Sequence, residues 1–178
     1  RTDAGDVKDP IVALLPERDL AVEVGPTASI GISRVLNPFD SLTLSTDVRW
    51  DVAGAHGGMV ISPGITYFTP LSRGAAVALS ISGAYADGDY HDYYFSVSPA
   101  DSAASGLAVY DADGGWKDVG LGLFGTYDLD GNLLNGGLSL FSINSVSRLV
   151  GDAARSPLVE QRGSRTQWLT SIGLAYTF

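Results

Sequence analysis

Few side chains in this sequence could do covalent or metal chemistry. His56 and His91 are the only imidazoles and there is no cysteine, which excludes a disulfide scaffold, a thiolate nucleophile and a thiolate metal site. Acyl-transfer hydrolysis needs a serine and a histidine held together, and both histidines fall in segments that read as loops. The run Asp87-Gly88-Asp89-Tyr90-His91-Asp92 mixes carboxylates with an imidazole, a donor set for a divalent cation; an acidic external loop has the same composition. Asp111-Ala112-Asp113-Gly114 opens with the spacing of a calcium loop but lacks the later glutamate that completes one. Asp128-Leu129-Asp130-Gly131-Asn132 reads as a hairpin turn, because Asp-Gly and Asn accept the positive φ of a tight turn. Asp47, Arg49 and Asp51 stand at i, i+2 and i+4, one face of a strand, where the arginine can pair with both carboxylates. That row reads as a structural plug of a lumen, with a conduction filter as the other reading. No catalytic, cofactor-binding or metal-binding set assembles from these residues, so the expectation is a protein that is not an enzyme and carries no cofactor.

The elements that must carry this row are set by an unusual composition. The 178 residues include 22 Gly, only 17% charged residues and 45% hydrophobic ones, and the mean hydropathy is +0.14. Intrinsic disorder needs the opposite balance. A net charge of -9 makes nucleic acid an unsuitable partner. Yet the longest apolar runs, Ile11 to Leu15 and Ala75 to Leu79, fall far short of the roughly 18 residues of a spanning helix.

Apolar residues recur instead with period two. From Leu20 the even positions read Leu, Val, Val, Pro, Ala, Ile, Ile, and the odd ones are small or polar. Similar alternation runs through Leu42 to Val52, Met59 to Tyr67, Val77 to Tyr85, Val119 to Tyr127 and Trp168 to Phe178, the pattern of half-buried strands. Between Leu133 and Asn144 the parity is less clean, because Phe141 and Ile143 follow Leu138 and Leu140 on the opposite phase; a bulge or strand end is expected there. Seven strands result.

A soluble barrel or sandwich alternates too, with its apolar face inward. Four features favour a transmembrane barrel of the outer-membrane type. The polar face is mostly Gly, Ala, Ser and Thr, suited to a hydrated lumen. Connections are short at 34–40, 70–74 and 129–132 and long at 87–116 and 145–163, with the brief 53–57 link on the long side. Aromatics on the apolar face fall into two girdles, Trp50, Tyr85 and Trp168 at one rim and Tyr67, Tyr127, Tyr176 and Phe178 at the other. Trp168 to Phe178 covers roughly 33 Å of strand, or about 25 Å of height at a tilt of about 40°, matching an outer-membrane apolar band. Finally, no charge interrupts the apolar face of the strands, where one would cost on the order of 2–4 kcal/mol at the midplane.

The chain therefore reads as all-β, a single up-and-down antiparallel barrel domain over 1–178, with residues 1–19 as an external segment and the barrel strands within 20–178. Seven strands leave an odd count. Because an open edge in lipid strands backbone groups, this is expected to be the C-terminal part of a larger even-stranded barrel whose precursor carries a signal peptide. The alternative is that Ile11 to Leu15 supplies an eighth short strand.

Several strings carry a family resemblance: Tyr93-Tyr94-Phe95-Ser96-Val97-Ser98-Pro99, Tyr110-Asp111-Ala112-Asp113-Gly114-Gly115, Leu149-Val150-Gly151-Asp152-Ala153, Ser156-Pro157-Leu158-Val159 and the terminal Gly173-Leu174-Ala175-Tyr176-Thr177-Phe178. With Gly54-Ala55-His56-Gly57-Gly58, this resembles the MltA-interacting protein family (MipA/OmpV) of Gram-negative outer-membrane proteins. The resemblance implies an outer-membrane scaffold in peptidoglycan processing, with a lytic transglycosylase and a bifunctional penicillin-binding protein as partners; porin-like and adhesin-like roles are also described for members. Ile172, Leu174, Tyr176 and Phe178 resemble the terminal signal read by the barrel assembly machinery.

Overall fold

A computed structural model describes residues 7–178 of the chain. One antiparallel sheet dominates it: β1 (Glu23–Val24), β2 (Thr27–Ser33), β3 (Ser41–Asp51), β4 (Met59–Pro70), β5 (Ala75–Ala86), β6 (Gly115–Asp128), β7 (Gly137–Leu149) and β8 (Thr166–Thr177). From β3 onward each strand pairs with the next in sequence, and both β1 and β2 pair with β3. This is the up-and-down order expected from the alternation, curled into a half-barrel whose free edges, among the described residues, are β1/β2 and β8.

The expected strand count and the observed one differ by a local break. β1 and β2 keep a single register on β3, with Val24 opposite Trp50 and Thr27 opposite Asp47. Pro26 has no N–H to give the ladder, though its carbonyl still accepts the Val48 N–H at 3.1 Å. At Gly25 the chains approach so closely that a Cβ would lie 1.7 Å from the Val48 carbonyl oxygen, so only glycine fits. The strand expected from Leu20 is thus one strand in two pieces that begins at Glu23. Ile11 to Leu15 supplies no strand; Val12–Leu14 forms a 3-10 turn. The first six residues of the 1–19 segment lie outside the described residues.

Which face is apolar decides between the two kinds of barrel. Cross-strand partners share a face, and the outward rows read Ile30–Leu44–Ile65–Ile81–Leu121 and Leu42–Tyr67–Leu79–Leu123. These large side chains are solvent-accessible: Trp168 is 78% and Ile172 71% exposed, with Leu79, Ile81, Leu121 and Leu174 all above half. A soluble barrel would bury them. The small buried core lies elsewhere, at the long-loop end, in residues such as Val60, Ala86, Val97, Leu107 and Ala153.

Two expectations on β7 are corrected. The strand carries no bulge. Its register runs unbroken from Asp118↔Leu149 to Asp128↔Ser139 on β6 and from Gly137↔Thr177 to Arg148↔Thr166 on β8. Phe141 and Ile143 hold the inward phase, opposite Thr126 and Phe124, and the Phe141 ring lies over the bare backbone of Gly173. An inward aromatic and an outward one look alike in a sequence. The outward face of β7 carries Ser142, Asn144 and, at the long-loop end, Arg148, so the apolar wall is interrupted there and the long connection begins only after Leu149. The register shift falls instead between Ala84 and Tyr85, on the β5–β6 pair.

The long connections are folded. Residues 87–114 contain α1 (Gly88–Phe95) and α2 (Pro99–Ser105), and the segment after β7 contains α3 (Gly151–Arg155) and a π-turn, Leu158–Arg162. Asp87 caps α1 by accepting the Tyr90 N–H at 3.1 Å, and its second oxygen takes the Met59 N–H at 2.8 Å, pinning the helix to β4. Ser98 and Asp101 form a capping box on α2, the Ser-x-x-acid signature at a helix start. The two connections are joined to each other. Tyr110 donates its hydroxyl to the Asp152 carbonyl at 3.0 Å, Asp113 N–H to the Asp152 carboxylate at 2.9 Å, and Ser156 Oγ to the Phe95 carbonyl at 2.6 Å.

Candidate functional site

The charge row of β3 lies at the long-loop end of the inward face, and its pairing differs from the sequence expectation. Arg49 engages Asp47, with Nε 2.8 Å from Oδ2, and reaches Glu23 on β1, with Nη1 3.2 Å from Oε2. Its Nη2 also donates to Ser62 Oγ on β4 at 3.3 Å. Asp51 takes no part. Its carboxylate accepts the N–H groups of Ala53, His56 and Gly57 at 2.8–3.0 Å and shapes the 53–57 turn.

His56, read as a loop residue, is buried inside this turn. Its Nδ1 accepts the Gly58 N–H at 3.0 Å, so its Nε2 faces Glu23 Oε1, 3.3 Å away, as the donor. Glu23 therefore joins Arg49 to His56. Above them lie the tyrosines of α1: His56 meets Tyr90 edge-on at 5.0 Å between centroids and Tyr94 at 5.6 Å. Tyr90 packs on Val60, Ala84 and Ala86 beneath it, while Lys117 Nζ lies 5.1 Å from its ring centroid, a cation–π distance. Burial, with neighbouring tyrosine and carboxylate charge, pushes the Tyr94 hydroxyl above its ordinary range, which keeps it neutral. The arrangement is an ionic cluster closed on itself and roofed by aromatic rings.

Sequence reasoning missed Glu23, His56, Ser62 and the α1 tyrosines as members of this site. Glu23 had a signal, since it sits on the polar parity of its strand; what joins it to Arg49 is a register between distant segments. His91 does not join the cluster. It is fully buried on α1, with Nδ1 3.1 Å from the Asp87 carbonyl and Nε2 without a partner among the described residues. Among the described residues no group of three or more His, Asp or Glu is placed to hold a metal ion; the Asp87 carboxylate near His91 caps α1, and at Asp113 it is the backbone N–H that bonds, to the Asp152 carboxylate.

The girdle residues fall at the two rims. Trp50, Tyr85 and Trp168 stand near the long-loop end and Tyr67, Tyr127 and Tyr176 near the short-turn end, each on the outward face by its cross-strand partners. Trp116 joins the first rim. The register shift turns it outward, edge-on to Tyr85 at 6.1 Å, and its ring covers Gly83 so closely that a Cβ there would meet Cζ3 at 2.9 Å. At the other rim Tyr67 donates to Asp40 Oδ2 at 2.7 Å. In β8, Ile172, Leu174 and Tyr176 project outward in alternation, and Phe178 is fully exposed. Among the described residues no helix is long and apolar enough to cross a membrane.

An antiparallel up-and-down wall with a greasy exterior, two aromatic rims, a small-residue interior and a mouth roofed by its own helices is a curled half-barrel of a shape that fits the outer-membrane type. Residues 1–178 match the family described as MltA-interacting protein MipA, and the chain belongs to that family. No curated protein and no solved structure matches it.

Proposed function

We propose that this chain forms the wall of an outer-membrane barrel, long loops outward and short turns in the periplasm, and acts as a non-enzymatic scaffold for murein processing. The observation that carries the reading is the inverted burial of the strands: large apolar side chains outside, Ser, Gly and Ala inside, bounded by aromatic rims. Membership in a family named for interaction with MltA supports a lytic transglycosylase as the partner on the periplasmic side, with a bifunctional penicillin-binding protein as the second enzyme held there. Lipid then covers the outward face, and the C-terminal residues Ile172, Leu174, Tyr176 and Phe178 supply the assembly signal.

Affinity capture of the detergent-extracted, full-length barrel on an immobilised MltA-type transglycosylase tests this. Retention above that of an unrelated outer-membrane barrel is expected; equal retention contradicts the scaffold. The second reading, a porin-like channel, is favoured by the hydrated character of the inward rows Ser80–Gly122–Ser145 and Ser82–Gly120–Ser147.

A further inference from the structure

The polar interruption of the outward wall lies at mid-height on β7, away from both rims. Along β8, Ile172 is halfway between the rim residues Trp168 and Tyr176, and its partner across the ladder is Ser142. Asn144, one pleat nearer the long loops, stands between Leu123 on β6 and Thr170 on β8. That row passes from leucine to amide to hydroxyl, and Gly125 beside Ser142 adds no side chain.

Hydrocarbon satisfies none of these polar groups. Asn144 makes one side-chain hydrogen bond, its Nδ2 donating to Ser142 Oγ at 3.4 Å, which leaves its carbonyl oxygen and a second N–H unused. The Thr170 hydroxyl has no partner among the described residues. Within a bilayer, polar and small side chains of this kind collect where one span packs on another.

The shape of the face agrees with its chemistry. A depression of about 240 Å³ opens beside Asn144, walled by Leu79, Leu121, Leu123, Val146 and Trp168. The leucines line its β5 and β6 side, and Trp168, 78% exposed, stands on its β8 side.

We propose that the outward face of β6, β7 and β8 is the surface on which a second copy of this chain packs within the membrane, with Asn144 on the two-fold axis. The inference rests on the membrane-wall reading and goes beyond it. A second copy is the occupant because the face is self-complementary. Two barrels inserted in the same sense are related by an axis along the membrane normal, which keeps every residue at its own depth, so Asn144 meets Asn144. An amide is donor and acceptor at once, and two facing amides exchange hydrogen bonds. The same axis exchanges the β6 and β8 flanks, which brings Trp168 of each copy to the leucine side of the other's depression. Arg148, the charge on this face, is exposed at its long-loop end. Strands tilted by about 40° cross at the axis and diverge above it, so the two guanidinium groups part as the strands rise.

The test uses the full-length barrel in lipid vesicles. Asn144→Cys, in a chain with no native cysteine, is oxidised with copper phenanthroline beside Ile65→Cys, a control on the outward face of β4. A disulfide-linked dimer is expected from Asn144→Cys in at least tenfold greater yield than from Ile65→Cys; equal yields, or monomer alone from both, overturn the interface. A second measurement follows energy transfer between amine-labelled barrels as lipid is added. Asn144→Leu is expected to lower the apparent association constant at least tenfold while the barrel stays heat-modifiable as in the wild type, and an unchanged constant overturns the proposal. The two readings fail separately. A wild-type chain that does not insert into vesicles overturns the wall itself, whereas one that inserts and stays monomeric at every protein-to-lipid ratio overturns the interface and leaves the wall standing.

Discussion

Arg49 reaches from β3 to Glu23 on β1, 3.2 Å between Nη1 and Oε2, and ignores Asp51, its neighbour two positions along the same strand face. The choice has a structural reason. Asp51 is already saturated by the backbone donors of the 53–57 turn, whereas Glu23 offers one oxygen to Arg49 and the other to His56. The guanidinium thus clamps β1 to β3 beneath the tyrosines of α1.

Removing that clamp frees two carboxylates at the mouth. In planar bilayers Arg49→Ala is expected to open the lumen, with more frequent conducting events and a shift toward cation selectivity. Conductance and selectivity identical to wild type show that the cluster neither plugs nor filters.

A sterically coupled pair at the long-loop rim gives a stability prediction. Gly83→Ala places a Cβ 2.9 Å from the Trp116 ring, so it is expected to destabilise the barrel by about 1–3 kcal/mol, the usual cost of overpacking. In a Trp116→Ala background the same change is expected to be neutral or better. Additive effects in urea unfolding, with no coupling between the two sites, contradict the packing described.

The Asp40 clasp makes the short-turn end sensitive to acid. Burial opposes ionisation of this carboxyl, but the Tyr67 hydroxyl and the N–H groups of Leu36, Val35 and Asn37 outweigh it and hold the carboxyl below its ordinary 3.8. A depressed carboxyl contributes stability above its unfolded value and loses it as pH falls through the folded one. Unfolding midpoints of the wild type are therefore expected to drop below about pH 3.8, with a weaker drop in Asp40→Asn. The same pH slope in both removes the clasp from the account.

Deletion of Phe178 tests β8 as an assembly signal. Membrane levels of heat-modifiable barrel are expected to fall, with unfolded chain accumulating in the periplasm; undiminished levels assign the exposed terminal ring no part in insertion.

Much of this was legible in the sequence. Period-two alternation placed Ile30, Leu44, Ile65, Ile81 and Leu121 on one outward face, and the aromatic positions Trp50, Tyr67, Tyr85, Tyr127 and Trp168 gave both rims. Phe141 and Ile143 were misread because hydropathy reports that a residue is apolar, not which side of a sheet it faces. Only their unbroken register with β6 and β8 turns them inward. The helices of the long connections escaped because short, polar helices have weak periodicity, although Asp87 and the Ser98–Asp101 box carried cap signals. Glu23 and His56 could be joined to Arg49 only through pairing between strands, a non-local relation that spacing does not encode.

The central claim is that the apolar face of the strands meets lipid and the small-residue face meets water. Single cysteines placed along β6 at Val119, Leu121 and Leu123 and at Gly120, Gly122 and Phe124, in a chain without native cysteine, can be spin-labelled and reconstituted in vesicles. Alternation is expected, with labels at the odd positions relaxed by oxygen in the bilayer and those at the even positions by a soluble nickel reagent. Uniform access to the nickel reagent, or the opposite parity, would contradict a membrane-spanning wall.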